Sequence, residues 1–410
     1  MASVAAVGIW ILVAIALVFG AAPVFLAWRF KRFLDRSLNE EPAPYCPKVS
    51  VILPCKGLDP GFDENIAALL EQDYPDFELI FVTVDQEDPA YSALERLLGC
   101  QPRIPCRLVT AGRAEHRSQK LNNQLRALDE VRTDSEVLVF VDSDIRPHPR
   151  FLRFLVAPLG NPEVGATTGF RWYLPVTNPR WAVLRSVWNG GAVPLLPNQG
   201  HNFLWGGAMA ATKEVFERAE IHKHWEGALT DDFPMTLAIK AMGLRIEFVP
   251  QCLVASHEDS TFGEVVEFTN RQTIISRVYH PRLWWSITVS YVMANLLLLI
   301  GLALTVAYLA SGTRALTPAP FMLLLVALEM LNARLLLPQV MRMLPQFADE
   351  LRRLRWWYYL MTPAASVLIL FNTLWSIFVN QITWRGVRYE VRSPTETVVL
   401  HEETGNRQLG

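Results

Sequence analysis

The sequence predicts an α/β domain with a mostly parallel sheet, enclosed between membrane-spanning helices near both ends of the chain. One observation is charge: Asp, Glu, Lys and Arg are all absent from residues 1–28, 283–313, 315–328 and 356–384. A helix of about 20 such residues spans a bilayer. The other observation is that residues 46–260 alternate short β-rich apolar runs with helical patterns. With 51% hydrophobic and 19% charged residues, the composition excludes a wholly soluble or a disordered protein.

The alternation within residues 46–260 predicts individual elements. Four apolar segments have the length and the β-branched content of strands, and a helical pattern lies in each interval between them. Strands that alternate with helices build a parallel sheet covered on both faces, and the chemistry of such sheets gathers at the carboxyl ends of the strands. The expected strands are 49–53, 77–84, 107–109 and 136–141, and the expected helices are 65–72, 89–98 and 118–128.

The first apolar run, residues 1–28, is expected to be a retained transmembrane anchor. It is long, has no basic start, and is followed by four basic residues between Arg29 and Arg36. Because positive charge marks the cytoplasmic end of a span, residues 46–260 are expected in the cytoplasm. Five cysteines without a Cys-x-x-Cys pair fit reduced thiols there. The chain is therefore expected in a bacterial inner membrane, or in a Golgi or ER membrane of a eukaryote.

The C-terminal part is expected to comprise an interfacial amphipathic helix at 261–282, a transmembrane region at 283–384 and a polar tail at 385–410. Inside the transmembrane region, residues 338–355 mix Met, Leu, Phe and Arg, as helices at a membrane surface do. Four crossings would place the tail opposite the soluble domain, yet the three arginines that begin the tail favour the cytoplasm. Either one apolar run does not cross, or the tail breaks the charge rule.

Two acids, Asp142 and Asp144, directly follow the fourth strand. Residues two apart at a strand end project to the same side, so both carboxylates reach one hard divalent cation, Mg²⁺ or Mn²⁺. A cation held in this way bridges a diphosphate and takes up charge on a leaving group. The alternative is a solvated turn, because Asp-Ser-Asp is also a common loop composition.

Further acids fall at another strand end and at a helix start. Asp85 follows the second strand. An acid at this place accepts hydrogen bonds from a nucleobase or a ribose in other nucleotide-binding sheets. The alternative is that Asp85 is part of a charged loop. Asp231 and Asp232 precede a helical pattern at 235–241, and N-capping explains one of them. A buried pair of adjacent acids raises the pKa of one member, which suits a general base.

Basic and glycine-containing segments complete the candidate site. Lys56 follows the first strand, and Lys120 lies at a helix start, where amides favour phosphate. Either lysine is alternatively a solvated surface residue. Gly206 and Gly207 predict a flexible turn that closes over a sugar; the alternative is a tight structural turn. Three tryptophans precede that turn, and they are expected either to line an acceptor groove or to pack in the core: Trp172, Trp181 and Trp188.

The ordered set of these motifs resembles processive-type family 2 glycosyltransferases, and within them the ceramide glucosyltransferase branch, family 21. The resemblance covers residues 48–279 and implies a GT-A fold, which is Rossmann-like. It also implies a UDP-glucose donor, a divalent cation and inversion at the anomeric carbon. The motifs are residues 54–60, 84–90, 120–123, 142–144, 206–207 and 231–233.

The same resemblance implies roles for individual residues. Asp85 would lie near the uridine, Asp142 and Asp144 would hold the metal and the diphosphate, and Asp232, beside Asp231, would be the catalytic base. Further donor contacts are implied for Lys56, Lys120 and Asn123.

The chain departs from the family at its last motif. Family members close the site with Gln/Arg-x-x-Arg-Trp on an interfacial helix, whereas here Arg271 is followed by Ile274 and Ile275 at the Arg-Trp positions. Gln272 and Arg277 are expected to supply donor contacts in their place, and Tyr279 is expected to supply a stacking ring.

Together, these features predict a membrane-bound inverting enzyme that transfers a hexose, glucose, from a UDP-sugar to a lipid hydroxyl such as that of ceramide. The alternatives are a processive polysaccharide synthase, a polyprenyl-phosphate sugar transferase or, from another class, a transporter or scaffold. Transport predicts more charge at membrane depth than Glu329 and Arg334 supply. A net charge of −2 gives no attraction to nucleic acid, so the expected partners are the donor, a lipid acceptor and the bilayer.

Overall fold

The computed structural model describes residues 2–311 and 319–402. Residues 312–318, which include the adjoining ends of two apolar runs, and residues 403–410, the end of the predicted tail, lie outside the described residues. The strands are β1 (Val49–Pro54), β2 (Phe77–Thr83), β3 (Cys106–Thr110), β4 (Val137–Val141), β5 (Val164–Leu174), β6 (Ala208–Thr212), β7 (Arg245–His257), β8 (Gln381–Trp384), β9 (Val387–Ser393) and β10 (Glu396–Glu402). The helices are α1 (Ala2–Ser37), α2 (Phe62–Leu70), α3 (Pro89–Leu98), α4 (Gln119–Leu128), α5 (Phe151–Val156), α6 (Pro179–Gly190), α7 (Lys213–Arg218), α8 (Ile221–Trp225), α9 (Asp232–Ala241), α10 (Phe262–Tyr279), α11 (Pro281–Ser311), α12 (Ala319–Met343), α13 (Ala348–Arg353) and α14 (Arg355–Phe378).

Strands β1 to β7 form one mixed sheet in the order β3-β2-β1-β4-β6-β5-β7. The pairs β2–β3, β1–β2, β1–β4 and β5–β7 are parallel, and β6 runs antiparallel to both of its neighbours. The four predicted strands are β1 to β4, and the three predicted helices are α2 to α4. This is the GT-A-like mixed sheet that the resemblance implies, so the predicted fold class is confirmed for the central domain.

Alternate residues of the central strands pack on opposite faces of the sheet. Val51 and Val139 belong to the core beneath α2, α3 and α5, while Ile52 and Phe140 belong to the core beneath α4, α8 and α9. A strand buried on both faces is continuously apolar, as β4 is. Helices on both faces leave the carboxyl ends of the parallel strands as the open edge of the sheet.

The chain after β4 contains elements that the sequence patterns did not assign. The long strands β5 and β7 pair in parallel and support α6, α10 and α14. A separate three-stranded antiparallel sheet, β10-β9-β8, occupies residues 381–402. The predicted polar tail is therefore folded over most of its length, and Ile382 and Tyr389 bury apolar side chains against α10.

Three helices in the described part of the chain are long and apolar enough to cross a membrane: Pro281–Ala307, Leu323–Met343 and Arg355–Phe378. The N-terminal helix α1 is not among them, so the N-terminal anchor stays a prediction. The last turns of α1 pack on β7, with the rings of Phe30 and Phe248 6.4 Å apart.

Candidate active site

A cavity of about 2070 Å³ opens at the carboxyl ends of β1 and β4. Polar residues from distant parts of the chain line one end of it, including Asp142, Asp144, Lys120 and Asp232. The sheet brings them together because each follows a strand or begins a helix at the same edge. Most of the predicted site residues thus share one cavity.

Arg171 on β5 pairs with both acids that follow β4. Its Nη1 and Nη2 donate to the two carboxylate oxygens of Asp144 at 2.8 and 2.6 Å, and Nη2 also donates to Asp142 Oδ2 at 3.1 Å. Burial would raise the pKa of Asp144, but Arg171 and Arg385 lower it below its usual value. The guanidinium therefore keeps this half-buried carboxylate ionised.

Lys120 joins this pair of acids to the second pair. Helix α4 begins at Gln119 with Ser118 as its N-cap, which points the Lys120 side chain into the cavity. Its Nζ lies 2.8 Å from Asp142 Oδ1 and 3.0 Å from both Asp231 Oδ2 and the carbonyl oxygen of Gly206. Burial would lower the pKa of Lys120, but the two carboxylates raise it, so the ammonium stays charged.

The adjacent acids Asp231 and Asp232 have different environments. Asp231 is 2% exposed and accepts a hydrogen bond from Gln124 Nε2 at 2.7 Å in addition to its pairing with Lys120. Asp232 is half-buried, lines the cavity and accepts from the backbone N–H of Phe233 at 2.7 Å. Burial and the charge of Asp231 raise the pKa of Asp232 to about 7. Asp232 lines the cavity and has a raised pKa, and both properties suit a general base.

Close packing explains Gly206 and Gly207. A Cβ atom at Gly206 would lie 2.2 Å from Asp231 Oδ1, and one at Gly207 would lie 2.1 Å from the ring of Trp205. The turn is therefore packed tightly against the site, which favours the structural interpretation over a flexible closing loop. Trp205 lines the cavity, and the Arg171 guanidinium lies 4.9 Å from its ring centroid.

Two carboxylates that face one cavity are chemically suited to a hard divalent cation. Asp142 and Asp144 are such a pair, and a cation bound there would compete with Arg171 and Lys120 for the same oxygens. Within residues 2–311 and 319–402, no group of three or more His, Cys, Asp or Glu is arranged to hold a metal. The remaining ligands of such a cation would be water molecules or oxygens of a bound molecule.

Three other predicted donor-binding residues differ in position. Lys56 lines the cavity. The Asn123 amide is 1% exposed and donates to the carbonyl oxygens of Cys55 and Val82, so it ties together the ends of β1 and β2. Asp85 is not among the residues that line the cavity, and its Oδ1 accepts from two backbone N–H groups of its own turn. The charged-loop interpretation accounts for these Asp85 contacts.

Helix α10 contributes two of its three predicted donor-contact residues to the cavity. Arg271 and Gln272 line it, and burial lowers the pKa of Arg271 to about 10, so this side chain remains charged at neutral pH. The structure does not bring Arg277 to the cavity; its guanidinium pairs with Asn380 instead. Six residues along a helix correspond to a rotation of about 240° beyond a full turn, which turns Arg277 away from the face that carries Arg271.

Sequence reasoning missed several residues that complete the site. Arg171 lies within a strand whose eleven residues are all buried, and a buried arginine in an apolar strand is a signal that could have been used. Arg385 reaches the cavity from the turn between β8 and β9, where no local pattern indicates it. Of the tryptophans considered for an acceptor groove, Trp172 and Trp188 line the cavity, while Trp181 packs against Phe262.

Acids and cations at the edge of a GT-A-like sheet are the setting of a glycosyltransferase site. Residues 8–397 match the family model described as Glycosyl transferase family 21. The chain belongs to this family, as the motifs implied.

Curated relatives share shorter stretches. Ceramide glucosyltransferase 1 of Caenorhabditis elegans is 32% identical over 87 residues, which is 21% of this chain and 19% of the relative. Ceramide glucosyltransferase of Komagataella phaffii is 24% identical over 106 residues, or 25% of this chain and 21% of the relative. The matched stretches span about a fifth of the length of these relatives.

Solved structures with similar folds include mannosyltransferase PcManGT from Pyrobaculum calidifontis in complex with GDP-Man and Mn²⁺. It has a TM-score of 0.45 and 22% identity, covering 89% of this chain and 99% of that chain. Glucosyl-3-phosphoglycerate synthase from Mycobacterium tuberculosis in complex with Mn²⁺ and UDP-glucose has a TM-score of 0.37 and 19% identity. That match covers 56% of this chain and 77% of the synthase chain.

Proposed function

We propose that this protein transfers a hexose, glucose, from a UDP-sugar to the hydroxyl of a membrane lipid such as ceramide, with inversion. The observation that carries the proposal is the continuity of the cavity. From Asp232 and Asp142 it extends between helices α1, α11, α12 and α14. The residues at that second end are mostly apolar, among them Leu26, Ile287, Leu336, Leu337 and Ile369. One cavity thus offers a polar end for a sugar nucleotide and an apolar end for a lipid chain.

The proposed reaction uses the residues already described. Asp232 accepts the proton of the acceptor hydroxyl as the acceptor oxygen bonds to the anomeric carbon. The bond from that carbon to the diphosphate oxygen breaks, and its electron pair leaves with UDP. Attack from the face opposite UDP inverts the configuration. The charged side chain of Arg271 lines the cavity and offsets negative charge on the leaving diphosphate.

A divalent cation is also part of the proposal. Asp142 and Asp144 are the residues that would hold it. When bound, such a cation supplies electrostatic stabilisation for the charge that develops on the diphosphate.

We further propose that α14 lies along the membrane surface and is the apolar run that does not cross. Near its start, Tyr358 Oη accepts a hydrogen bond from Trp172 at 3.1 Å, and near its end Asn372 Oδ1 accepts one from Trp188 at 3.1 Å. Both ends are thus attached to the central domain, which a perpendicular span would not allow. The outer face of α14 is apolar and exposed, which suits contact with lipid. Its exposed residues include Trp356, Leu360, Val367, Phe371, Leu374 and Phe378.

This arrangement removes the conflict over the tail. With α1, α11 and α12 as the crossings, the central domain and the C-terminal sheet lie on the same side, and the arginines of the tail fit the cytoplasm. The test is the Ser393→Cys variant, which places a thiol on β9. A membrane-impermeant thiol reagent should label this cysteine from the same side of the membrane as it labels the exposed Cys46 of the central domain. Labelling of the two positions from opposite sides would overturn this topology.

The product identifies the function. Purified full-length protein in detergent is incubated with UDP-glucose or UDP-galactose and with ceramide or diacylglycerol, and the lipid extract is analysed by mass spectrometry and by NMR of the anomeric centre. We expect one hexosyl lipid, made from UDP-glucose and ceramide, with inverted configuration. A sugar polymer would instead identify a polysaccharide synthase, and an acid-labile phosphodiester formed with added polyprenyl phosphate would identify a polyprenyl-phosphate transferase. Absence of any transfer would contradict the proposal.

A further inference from the structure

The turn between β8 and β9 places an arginine in an unusual backbone conformation. Arg385 and Gly386 form the two-residue connection, with φ of +48° and +75°. Such hairpin turns favour Asn, Asp or Gly at left-handed positions, and other side chains are disfavoured there for steric reasons. A strained residue that persists at the edge of a site points to a function for its side chain.

The Arg385 side chain reaches the polar end of the cavity, which is the donor end in the proposed function and is lined by Asp142, Asp144, Lys120 and Asp232. Its Nη1 donates to the carbonyl oxygen of Lys56 at 2.7 Å, and its Nη2 donates to Asp59 Oδ1 at 2.8 Å. Nη2 also lies 4.0 Å from Asp144 Oδ2, and the side chain is 30% exposed to the cavity that it lines. A guanidinium has five N–H donors, so these two hydrogen bonds orient Arg385 and leave donors for a ligand.

The other central cations are more fully engaged. Lys120 directs its three N–H donors to Asp142, Asp231 and Gly206. Arg171 is committed to Asp142 and Asp144 and is buried. Compared with these two side chains, Arg385 is better able to bind an added anion without losing its existing partners.

Contacts of its strands hold the turn in place. The Tyr389 hydroxyl accepts a hydrogen bond from the backbone N–H of Gln119 at 3.2 Å, beside Lys120 at the start of α4. On the other strand, the carbonyl oxygen of Thr383 accepts from Arg271 at 3.2 Å. The hairpin is therefore fixed to both walls of the donor end, so the position of Arg385 is set before a ligand arrives.

We infer that Arg385 contacts the diphosphate of the nucleotide-sugar donor, so that the C-terminal sheet completes the donor site. The planar guanidinium matches phosphate oxygens in charge and in geometry. The inference rests on the proposed function, because it names a further residue of the same donor site. It predicts that Arg385 distinguishes a nucleoside diphosphate from the nucleoside alone.

The test compares UDP with uridine on the full-length protein in detergent, using calorimetry. Arg385→Ala should weaken UDP binding by about tenfold or more, the loss typical of a charge-assisted hydrogen bond, and change uridine binding by less than about twofold. Arg385→Lys should bind UDP with intermediate affinity, because lysine keeps the charge without the fork. The matched control is Arg388→Ala, an exposed arginine on the same hairpin, which should bind UDP as the wild type does.

Other outcomes separate the possible failures. Unchanged UDP binding by Arg385→Ala, in a wild type that binds UDP and transfers sugar, would overturn this inference alone. Equal weakening of UDP and uridine would also overturn it, because the arginine would then act only on the fold of the site. A wild type that binds neither UDP nor any UDP-sugar would overturn the proposed function together with the inference.

Discussion

The two ends of the cavity differ in the chemistry of their lining residues, which are charged at one end and mostly apolar at the other. At the donor end, Asp142, Asp144, Lys120 and Arg171 are paired with one another at 2.6–3.1 Å, so each charge has a defined partner. At the other end, between α11, α12 and α14, the lining is mainly aliphatic and aromatic. We therefore expect substitutions at the donor end to alter charge and proton transfer, and substitutions at the apolar end to alter the shape and volume of the cavity.

The largest effect is expected from Asp232→Asn, which removes the proposed base and retains its size. The rate constant kcat should fall by about 10²–10⁴, the usual contribution of general base catalysis, with little change in UDP binding. Steady-state transfer of labelled glucose at saturating concentrations of both substrates measures kcat. The control is Asp129→Asn, at an exposed acid after α4. Near-normal transfer by Asp232→Asn would assign the base elsewhere.

Removal of divalent cations should produce the next largest loss. If Asp142 and Asp144 hold a cation, chelation with EDTA should slow transfer by about 100-fold, since a metal contributes several kcal/mol to charge stabilisation. Added Mn²⁺ or Mg²⁺ should restore the rate for the wild type and not for Asp144→Asn. Transfer that is unaffected by EDTA would instead indicate that Arg171 and Lys120 neutralise these acids without a metal.

The pH dependence of kcat/KM is a further test of Asp232 at the donor end. Because burial and Asp231 raise the pKa of Asp232 to about 7, the base is protonated and inactive in more acidic solution. The value of kcat/KM should therefore fall about tenfold per pH unit below about pH 7 and level off above it. A plateau that continues down to pH 5 would contradict the assignment of this base.

The smallest effect is expected at the apolar end. Ala333→Phe, on the cavity face of α12, should fill part of the acceptor space and raise the KM for the lipid about tenfold, leaving UDP affinity unchanged. Leu331→Phe, on the outward face of the same helix, is the matched control. An equal change in both variants would show that the helix, and not the cavity, responds to the added volume.

Local sequence patterns predicted the first half of the domain well. Continuous apolar runs predicted β1 to β4. The helix predicted at 118–128 is α4, with Ser118 as its N-cap. The amphipathic helix predicted at 261–282 corresponds to α10, Phe262–Tyr279. By contrast, β5 and β7 belong to a pairing between distant segments, and β8 to β10 follow an apolar run that resembles a span. Strand pairing of this kind depends on contacts between distant segments, which local patterns do not contain.

The candidate site divides in the same way. Asp142, Asp144 and Asp232 were identified because a strand end or a helix start lies beside them in sequence. Arg171 and Arg385 were not, because they enter the cavity from a buried strand and from a hairpin more than 200 residues apart.

Charge and periodicity are local properties, and they were sufficient to indicate a charged α/β domain joined to long apolar helices. The sequence also indicated the family, through motifs whose order could be compared. The folded structure was needed to establish which acids are paired, that Arg277 points away from the cavity while Arg385 points into it, and that both ends of α14 contact the domain. These features depend on the distances between side chains that are far apart along the chain. Electrostatic roles follow from such distances and from burial, which are established only when the chain folds.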